Sequence, residues 1–462
     1  MSPSLSEANH PEIDVSSIED LNRLIEFTNA AQEKFATFSQ DQVDKIFMEV
    51  AKAAVAARLP LAKMAIAETN MGVLEDKVIK NHFAEEVYNA YKNSKTCGII
   101  ERDKDNGVLK IAAPFGTIAG ITYSTSPTST TIFKALLALK TRNAIVFSPH
   151  VRAKECSVAA CRILHEAAVA AGAPRGVIGW IANPTVELSN ALMKHNGIHM
   201  IIASGTPSLL KAAYSCGKPA LAAGMGNTPV IIDESADIRM AIHAILVSKT
   251  FDNGLVCFSE QSIIVVDSVY EQVKKDFIEA GCHFCNDEER VKLVNTIIFK
   301  QQFNLRIVGR SAYEIAQMAG FSVPQNTKVL MAAANTVGVH EPFSYPKYSP
   351  ILGFYNAASF EEALVKAESL LKFRGTGHTA SLFTNPDAVS RIEAFGARVT
   401  AGRLLINQPC CFGAVGGSFN IGLDPSFTLG AGSYGGTSTS ENISVKHLIK
   451  IKTVTTRCDN MT

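Results

Sequence analysis

The chain reads as an α/β protein with two doubly wound parallel-sheet domains. Three observations point there. Helical patterns alternate with strand patterns along most of the 462 residues. The strands are short, continuous apolar runs, which suits sheets buried on both faces. Repeated strand–helix units favour parallel, right-handed crossovers, and the length is enough for two or three domains with a large core.

The elements follow in order. "MSPSLSEANHPEID" is polar, with neither a basic start nor an apolar stretch, so residues 1–15 are expected to be a disordered lead rather than a secretory signal. From Ser17 to Val73 apolar residues recur at three- and four-residue steps, the period of helices, and Ser39 with Gln42 matches a capping box. Another helix runs on to Lys92. "GVLKIAAPFGTIAGIT" reads as strand, turn, strand. Helices "STTIFKALLALKTR", "AKECSVAACRILHEAAVAA", "TVELSNALMKH" and "PSLLKAAYSC" then lead to strands "NAIVFSP", "GVIGWIA", "IHMIIAS" and "NTPVIID".

A second series begins near Glu234, with helix "ADIRMAIHAILVSKTF", a loop, and strand "QSIIVVD". It continues through "VYEQVKKDFIEAG", "TKVLMAAA", "ILGFYNA", "FEEALVKAESLL" and "TASLFTN". A glycine-rich stretch, Gly413 to Gly436, precedes an alternating strand in "VKHLIKIKTVTTR". In doubly wound folds ligands sit at the carboxyl ends of strands.

Composition limits the function classes. Lys plus Arg is 44 and Asp plus Glu is 43, so no global field draws nucleic acid or an anionic membrane. No window approaches the ~18 apolar residues of a membrane span. The ten cysteines show no disulfide spacing, so reduced thiols in the cytoplasm are expected. Cys282 and Cys285 have metal-ligand spacing but no second ligand pair, so no metal is expected and a partly exposed helix-end pair is the favoured reading. Cys410 and Cys411 are expected to pack or line a loop.

Cys257, in "FDNGLVCFSEQ", differs in setting: it lies on a loop between a helix and a strand among polar neighbours. A reactive thiol needs partial access and a lowered pKa or a nearby base. On position alone, a small buried residue at a domain junction is the favoured reading.

"FDNGLVCFSEQSIIVV" resembles the catalytic-cysteine segment of the aldehyde dehydrogenase superfamily, in its coenzyme A-acylating branch. "TSPTSTTIFKALLALKTRNAIVFSPHVRAKE", "KAAYSCGKPALAAGMGNTPVIIDESADI", "RGTGHTASLFTN" and "TLGAGSYGGTSTSENISVKHLIKIKTV" extend the resemblance over nearly the whole chain. It is similar to the aldehyde dehydrogenase half of bifunctional aldehyde–alcohol dehydrogenases and to acylating succinate-semialdehyde dehydrogenases. The chain ends at Thr462, and no iron-dependent alcohol dehydrogenase domain is expected.

The resemblance implies an aldehyde dehydrogenase-like fold. A cofactor-binding domain spans 16–230, with 105–115 contributing to a strand arm; a catalytic domain spans 231–425; a return segment and oligomerisation strand span 426–462. It implies a homodimer or homotetramer, since an unpaired edge strand is a liability unless covered. It also implies NAD or NADP, with coenzyme A as co-substrate. Cys257 would attack the aldehyde, pass hydride to the nicotinamide, and carry the acyl group as a thioester.

Hydrolytic members place a general-base Glu 34 residues before the cysteine, and here that position is Ala223. An alanine cannot activate water, which favours release to coenzyme A. His378 matches a histidine of the acylating branch, for proton transfer or thiol placement. Ser126 stands where the family carries its oxyanion asparagine; Ser124 or Thr125 could compensate. Pro346 stands where a ribose-binding Glu is usual. Thr122, Ser148, His150, Ser204, Gly205 and Thr206 are the candidate cofactor residues. Arg152 lies close to that set, and no acidic residue there excludes a 2′-phosphate. Arg374, with Lys372 nearby, is a candidate for the anionic tail of an aldehyde such as succinic semialdehyde or sulfoacetaldehyde, or for a coenzyme A phosphate. The competing readings are a hydrolytic aldehyde dehydrogenase with another base and a catalytically weakened binding or scaffold paralogue. A location inside a microcompartment is left open.

Overall fold

The structure is a computed structural model and describes residues 15–457; all but one residue of the expected lead lie outside that range. Helices Ile18–Phe35, Gln40–Ala56, Arg58–Thr69 and Leu74–Tyr91 open the chain. The capping box holds: Gln42 N donates to Ser39 Oγ at 3.3 Å, and Ser39 N donates to Gln42 Oε1 at 2.9 Å. Each bond satisfies a donor that the first helical turn would otherwise leave unpaired.

A five-stranded parallel sheet runs in the order Ile178–Trp180, Ala144–Ser148, Thr117–Ile121, Met200–Ser204, Ala220–Ala223. The strand order reverses on either side of Thr117–Ile121, which creates a crevice at the carboxyl ends of that strand and Met200–Ser204. Helix Pro127–Lys140 is buried along its full length, its polar residues Thr128 to Thr131, Lys134 and Lys140 included.

A seven-stranded parallel sheet runs His283–Phe284, Leu330–Ala333, Ile351–Ala357, Glu260–Val266, Thr228–Ile232, Gly377–Phe383, Ala401–Ile406. Strand "NTPVIID", which reads from sequence as the end of the first series, pairs here instead, between Glu260–Val266 and Gly377–Phe383. The edge strand Ala220–Ala223 takes its place beside Met200–Ser204. Three alanines and one leucine, Ala220–Ala223, make too short a run for periodicity to separate from its surroundings.

A third sheet is antiparallel: Gly98–Asp103, Val108–Pro114 and Ile449–Thr455. Its outer strand Ile449–Thr455 is largely exposed. Asn143 Nδ2 donates to Leu448 O at 2.8 Å and fastens the return segment to the first sheet. No helix among the described residues is long and apolar enough to cross a membrane.

Candidate active site

The cysteine loop is built from strained backbone held by buried charge. After helix Ile238–Thr250 the chain takes left-handed conformations at Asp252 (φ 49), Asn253 (φ 53) and Gly254 (φ 69) in succession. Asn and Asp tolerate that region better than most residues but still at a cost of about 1 kcal/mol each. Asp252 offsets it. Its carboxylate, fully buried, accepts from Val73 N at 2.8 Å, Lys80 Nζ at 2.6 Å and Lys77 Nζ at 3.1 Å. Its own N–H donates to Asp76 Oδ2 at 2.8 Å. Lys80 also donates to Thr125 O at 3.2 Å, so one lysine holds both the cysteine loop and the segment entering Ser126. Burial and its neighbour Lys80 push Lys77 down to about 8.

Cys257 lies half-buried just past this loop, ahead of strand Glu260–Val266. Burial pushes its thiol up to about 11; Arg403 opposes that most, with Lys80 helping. Gly226 is the contact that brings its partners together. A Cβ added there would lie 2.2 Å from Cys257 O and 2.8 Å from His378 Nδ1, so those two atoms are no farther apart than the sum. Tyr348 Oη donates to Gly226 O at 3.2 Å and closes the same corner.

His378 begins strand Gly377–Phe383 and is buried, 1 % exposed. Its Nδ1 sits 3.0 Å from Thr379 Oγ1, while Nε2 meets no hydrogen-bond partner. Burial, then the Arg403 charge, pushes its pKa down to about 3, so the ring is neutral at physiological pH. Arg403 is itself buried and donates to the carbonyls of His378 (2.6 Å) and Ser440 (3.0 Å) and to Asn442 Oδ1 (3.3 Å). Its acceptors are neutral, which leaves its charge free to favour an anion at Cys257.

The expected cofactor residues collect at the carboxyl edge of the five-stranded sheet. Thr122 follows Thr117–Ile121, and Ser148 and Ser204 end their strands. The hydroxyls of Thr122 and Ser204 are buried without partners; Ser148 Oγ pairs with Ser189 Oγ at 2.7 Å. Gly205 N donates to Ala223 O at 3.1 Å, and Thr206 caps helix Pro207–Tyr214. Orphaned hydroxyls, a glycine and a helix N-terminus at a switch point suit the pyrophosphate of a dinucleotide. His150 lies at the rim, where Arg152 N donates to its Nδ1 at 3.1 Å. Lys134, fully buried, donates to Ile121 O at 2.6 Å and Ile202 O at 3.3 Å, locking the two central strand ends; burial pushes it down to about 7.

Ser126 precedes helix Pro127–Lys140, 2 % exposed, with its hydroxyl unpartnered. Ala223 ends its strand, buried, with no acidic group in its place. Pro346 is buried. Arg374 is exposed at the end of helix Phe360–Phe373, with its guanidinium 5.6 Å from the Phe373 ring. Cys282 and Cys285 are both buried, 6 % exposed each, not the partly exposed pair expected, because they flank the edge strand His283–Phe284 and pack into two different apolar clusters. Cys410 and Cys411 pack inward; their N–H groups donate to Glu260 Oε1 at 2.9 Å and Ser248 Oγ at 2.8 Å.

Four contributors escaped the sequence reading: Gly226, Arg403, Tyr348 and the Asp252–Lys77–Lys80 cluster. Gly226 and Asp252 lay inside segments already quoted, "KAAYSCGKPALAAGMGNTPVIIDESADI" and "FDNGLVCFSEQ". The others become visible only when distant segments meet.

The nucleophile, imidazole and oxyanion candidates thus come from the amino ends of one sheet and the carboxyl edge of the other. A family description, "Aldehyde dehydrogenase family", matches residues 1–305. The chain is 53% identical over 450 residues to the bifunctional aldehyde-alcohol dehydrogenase of Escherichia coli (strain K12), covering 97% of this chain and 50% of that protein; it spans half the length of that relative. It is 36% identical to the succinate-semialdehyde dehydrogenase (acetylating) of Clostridium kluyveri, covering 94% of this chain and 95% of that one. The crystal structure of an acetylating aldehyde dehydrogenase from Geobacillus thermoglucosidasius superimposes with a TM-score of 0.94 at 45% identity, covering 97% and 99% of the two chains. With its sheets, cysteine loop and sequence in agreement, this chain belongs to the aldehyde dehydrogenase family.

Proposed function

We propose that the protein oxidises an aldehyde to an acyl-coenzyme A thioester, reversibly, with NAD or NADP as hydride acceptor and Cys257 as acyl carrier. The observation that carries this reading is His378: a buried, neutral imidazole with an open Nε2 beside Cys257. Its open ring nitrogen is placed to accept a hydrogen bond from an incoming thiol. Ala223 supports the same product, because no carboxylate stands there to activate water. The acetylating relatives support it by name.

In the forward direction the Cys257 thiolate forms a C–S bond to the aldehyde carbon, and the carbonyl electrons move onto oxygen. The Cys257 N–H and the Ser126 hydroxyl are the donors proposed for that oxyanion. Thr122, Ser148, His150, Ser204, Gly205 and Thr206 would hold the dinucleotide, which would supply the hydride acceptor. Loss of hydride leaves a thioester on Cys257. The coenzyme A thiol, hydrogen-bonded to His378 Nε2, then loses its proton and attacks the thioester carbon, and Cys257 departs as thiolate. Arg403 and Lys80 favour that leaving group.

A small anionic aldehyde is the proposed substrate class, with exposed Arg374 at its tail. The strand arm is proposed to pair between subunits, since Ile451 and Val454 are 47 % and 41 % exposed on it. The nine described cysteines are all free, which suits the cytoplasm. The test is product analysis on an aldehyde panel with NAD or NADP, with and without coenzyme A. Acyl-coenzyme A and reduced nucleotide are expected only when the thiol is present, and Cys257→Ala should abolish both. Free acid formed at full rate without coenzyme A refutes the reading. Unchanged preference for succinic semialdehyde over propanal in Arg374→Ala refutes the tail contact.

A further inference from the structure

The segment "HFCNDEE", His283 to Glu289, carries chemistry that the active site does not use. The Cys282–Cys285 spacing suggests a ligand pair, but the fold puts those two thiols in different apolar clusters and gives Cys285 other neighbours. His283 begins the edge strand His283–Phe284, which pairs in parallel with Leu330–Ala333. Cys285 N donates to Met331 O at 2.8 Å and so continues that ladder by one residue. Alternate residues of an extended chain point to one side, which puts imidazole and thiol on a shared face. The chain then turns at Asn286 into helix Asp287–Ile297, where Glu289 stands in the first turn. The capping box bends its carboxylate back: Glu289 Oε2 accepts from Asn286 N at 3.0 Å and lies 2.9 Å from His283 Nε2.

A strand face and a helix start thereby deliver three ligand atoms to one place. A ring nitrogen of His283, Cys285 Sγ and a carboxylate oxygen of Glu289 all lie within 4.8 Å of one another. Imidazole, thiolate and carboxylate are the three ligand types that zinc takes. A tetrahedral zinc, about 2.3 Å from sulfur and about 2.0–2.2 Å from nitrogen and oxygen, holds such atoms roughly 3.3–3.6 Å apart. Closing onto the ion therefore needs side-chain movements on the order of 1 Å, with the backbone in place. Calcium and magnesium take about six or more ligands, mostly oxygen, and this donor set does not suit them. An entry path exists: Cys285 is 6 % exposed at the floor, while the His283 and Glu289 side chains keep 26 % and 17 % at the mouth. The Phe321 ring stacks on His283 with centroids 5.9 Å apart and steadies the imidazole.

We infer that His283, Cys285 and Glu289 bind one zinc ion per chain, with water as the fourth ligand. The Cys285 thiol gives its proton to solvent as the zinc–sulfur bond forms, and the ion replaces the direct contact between His283 and Glu289. Zinc there staples the edge strand of the seven-stranded sheet to the helix that follows it. The site goes beyond the proposed function and does not depend on it.

The test titrates cobalt(II), then zinc(II), into the reduced, metal-free full chain, following thiolate-to-cobalt charge-transfer absorption and Tm. Cys257 is a competing thiol, so Cys257→Ala is titrated alongside. One equivalent of cobalt should raise the absorption in the parent and in Cys257→Ala alike, and zinc should erase it by displacement. Cys285→Ser should abolish it. Zinc should raise the Tm of the parent and leave that of Cys285→Ser unmoved. His283→Gln and Glu289→Gln alter partly exposed side chains, and glutamine still serves the capping box, so both should fold and bind zinc at least tenfold more weakly. Absorption that vanishes in Cys257→Ala, absorption that survives in Cys285→Ser, or zinc affinity within twofold of the parent in both glutamine variants overturns the inference.

Discussion

Gly226→Ala isolates the geometry that joins nucleophile and imidazole. The backbone at Gly226 is not left-handed, so alanine brings no conformational strain there. The cost is steric: the new Cβ would lie 2.2 Å from Cys257 O and 2.8 Å from His378 Nδ1. To reach even a tight contact of about 3.2 Å, the Cys257 carbonyl must retreat by about 1 Å, because overpacked cores relax by small backbone shifts. A misplacement of about 1 Å at reacting atoms costs on the order of 100-fold in rate, or about 2.7 kcal/mol of barrier. The stability cost should be about 1–3 kcal/mol. The assay is kcat/KM for coenzyme A-dependent NADH or NADPH formation, with Tm and the alkylation rate of Cys257 measured on the same samples. Gly396→Ala is the control. Gly396 lies inside helix Val389–Arg398 with nothing within 4 Å of an added Cβ, so it should be neutral or slightly stabilising. A Gly226→Ala enzyme with kcat/KM within threefold of the parent would refute the placement argument.

Three other perturbations follow from the same geometry. Ser126→Ala removes a hydroxyl with no partner in the fold, so Tm should hold within about 2 °C while kcat falls ten- to a thousandfold; an unchanged kcat excludes Ser126 as an oxyanion donor. His378 has its folded pKa pushed down to about 3 from an ordinary 6.5, so the unfolded chain binds the extra proton between those values. Stability from this group is therefore full above pH 6.5 and is lost as pH falls toward 3, and His378→Gln should flatten that acid limb in denaturant melts at pH 4, 5, 6 and 7; identical pH profiles would contradict it. Asp252→Asn strands the buried Lys77 and Lys80 ammonium groups and should cost about 3–5 kcal/mol in urea unfolding, whereas a loss below about 1 kcal/mol would show that the cluster does not hold the cysteine loop.

Much of the fold was legible because its signals are local. Helix Pro127–Lys140 and strand Glu260–Val266 declare themselves through apolar runs, and Ser39 with Gln42 declares a helix start, since each depends on residues within one or two turns. Strand Thr228–Ile232 was legible as a strand but not as a member of the second sheet, because pairing partners such as Ser381 lie about 150 residues away and leave no mark on its own pattern. Ala220–Ala223 was not legible at all.

The site divides along the same line. The sequence by itself, through its resemblance to a known family, nominated Cys257 as nucleophile, Ala223 as the place of an absent base and the hydroxyls at the edge of the first sheet as cofactor residues, because each falls at a fixed spacing within a recognisable segment. Only the tertiary structure decided what surrounds them. It set Gly226 between Cys257 and His378, reached Lys77 and Lys80 across to Asp252, turned Arg403 onto the His378 carbonyl, and left Arg374 at the surface. The physical reason is that electrostatics and steric contact act through space over a few ångströms. The segments that supply these groups are separated by up to hundreds of residues, and the folded sheets alone bring them within that range.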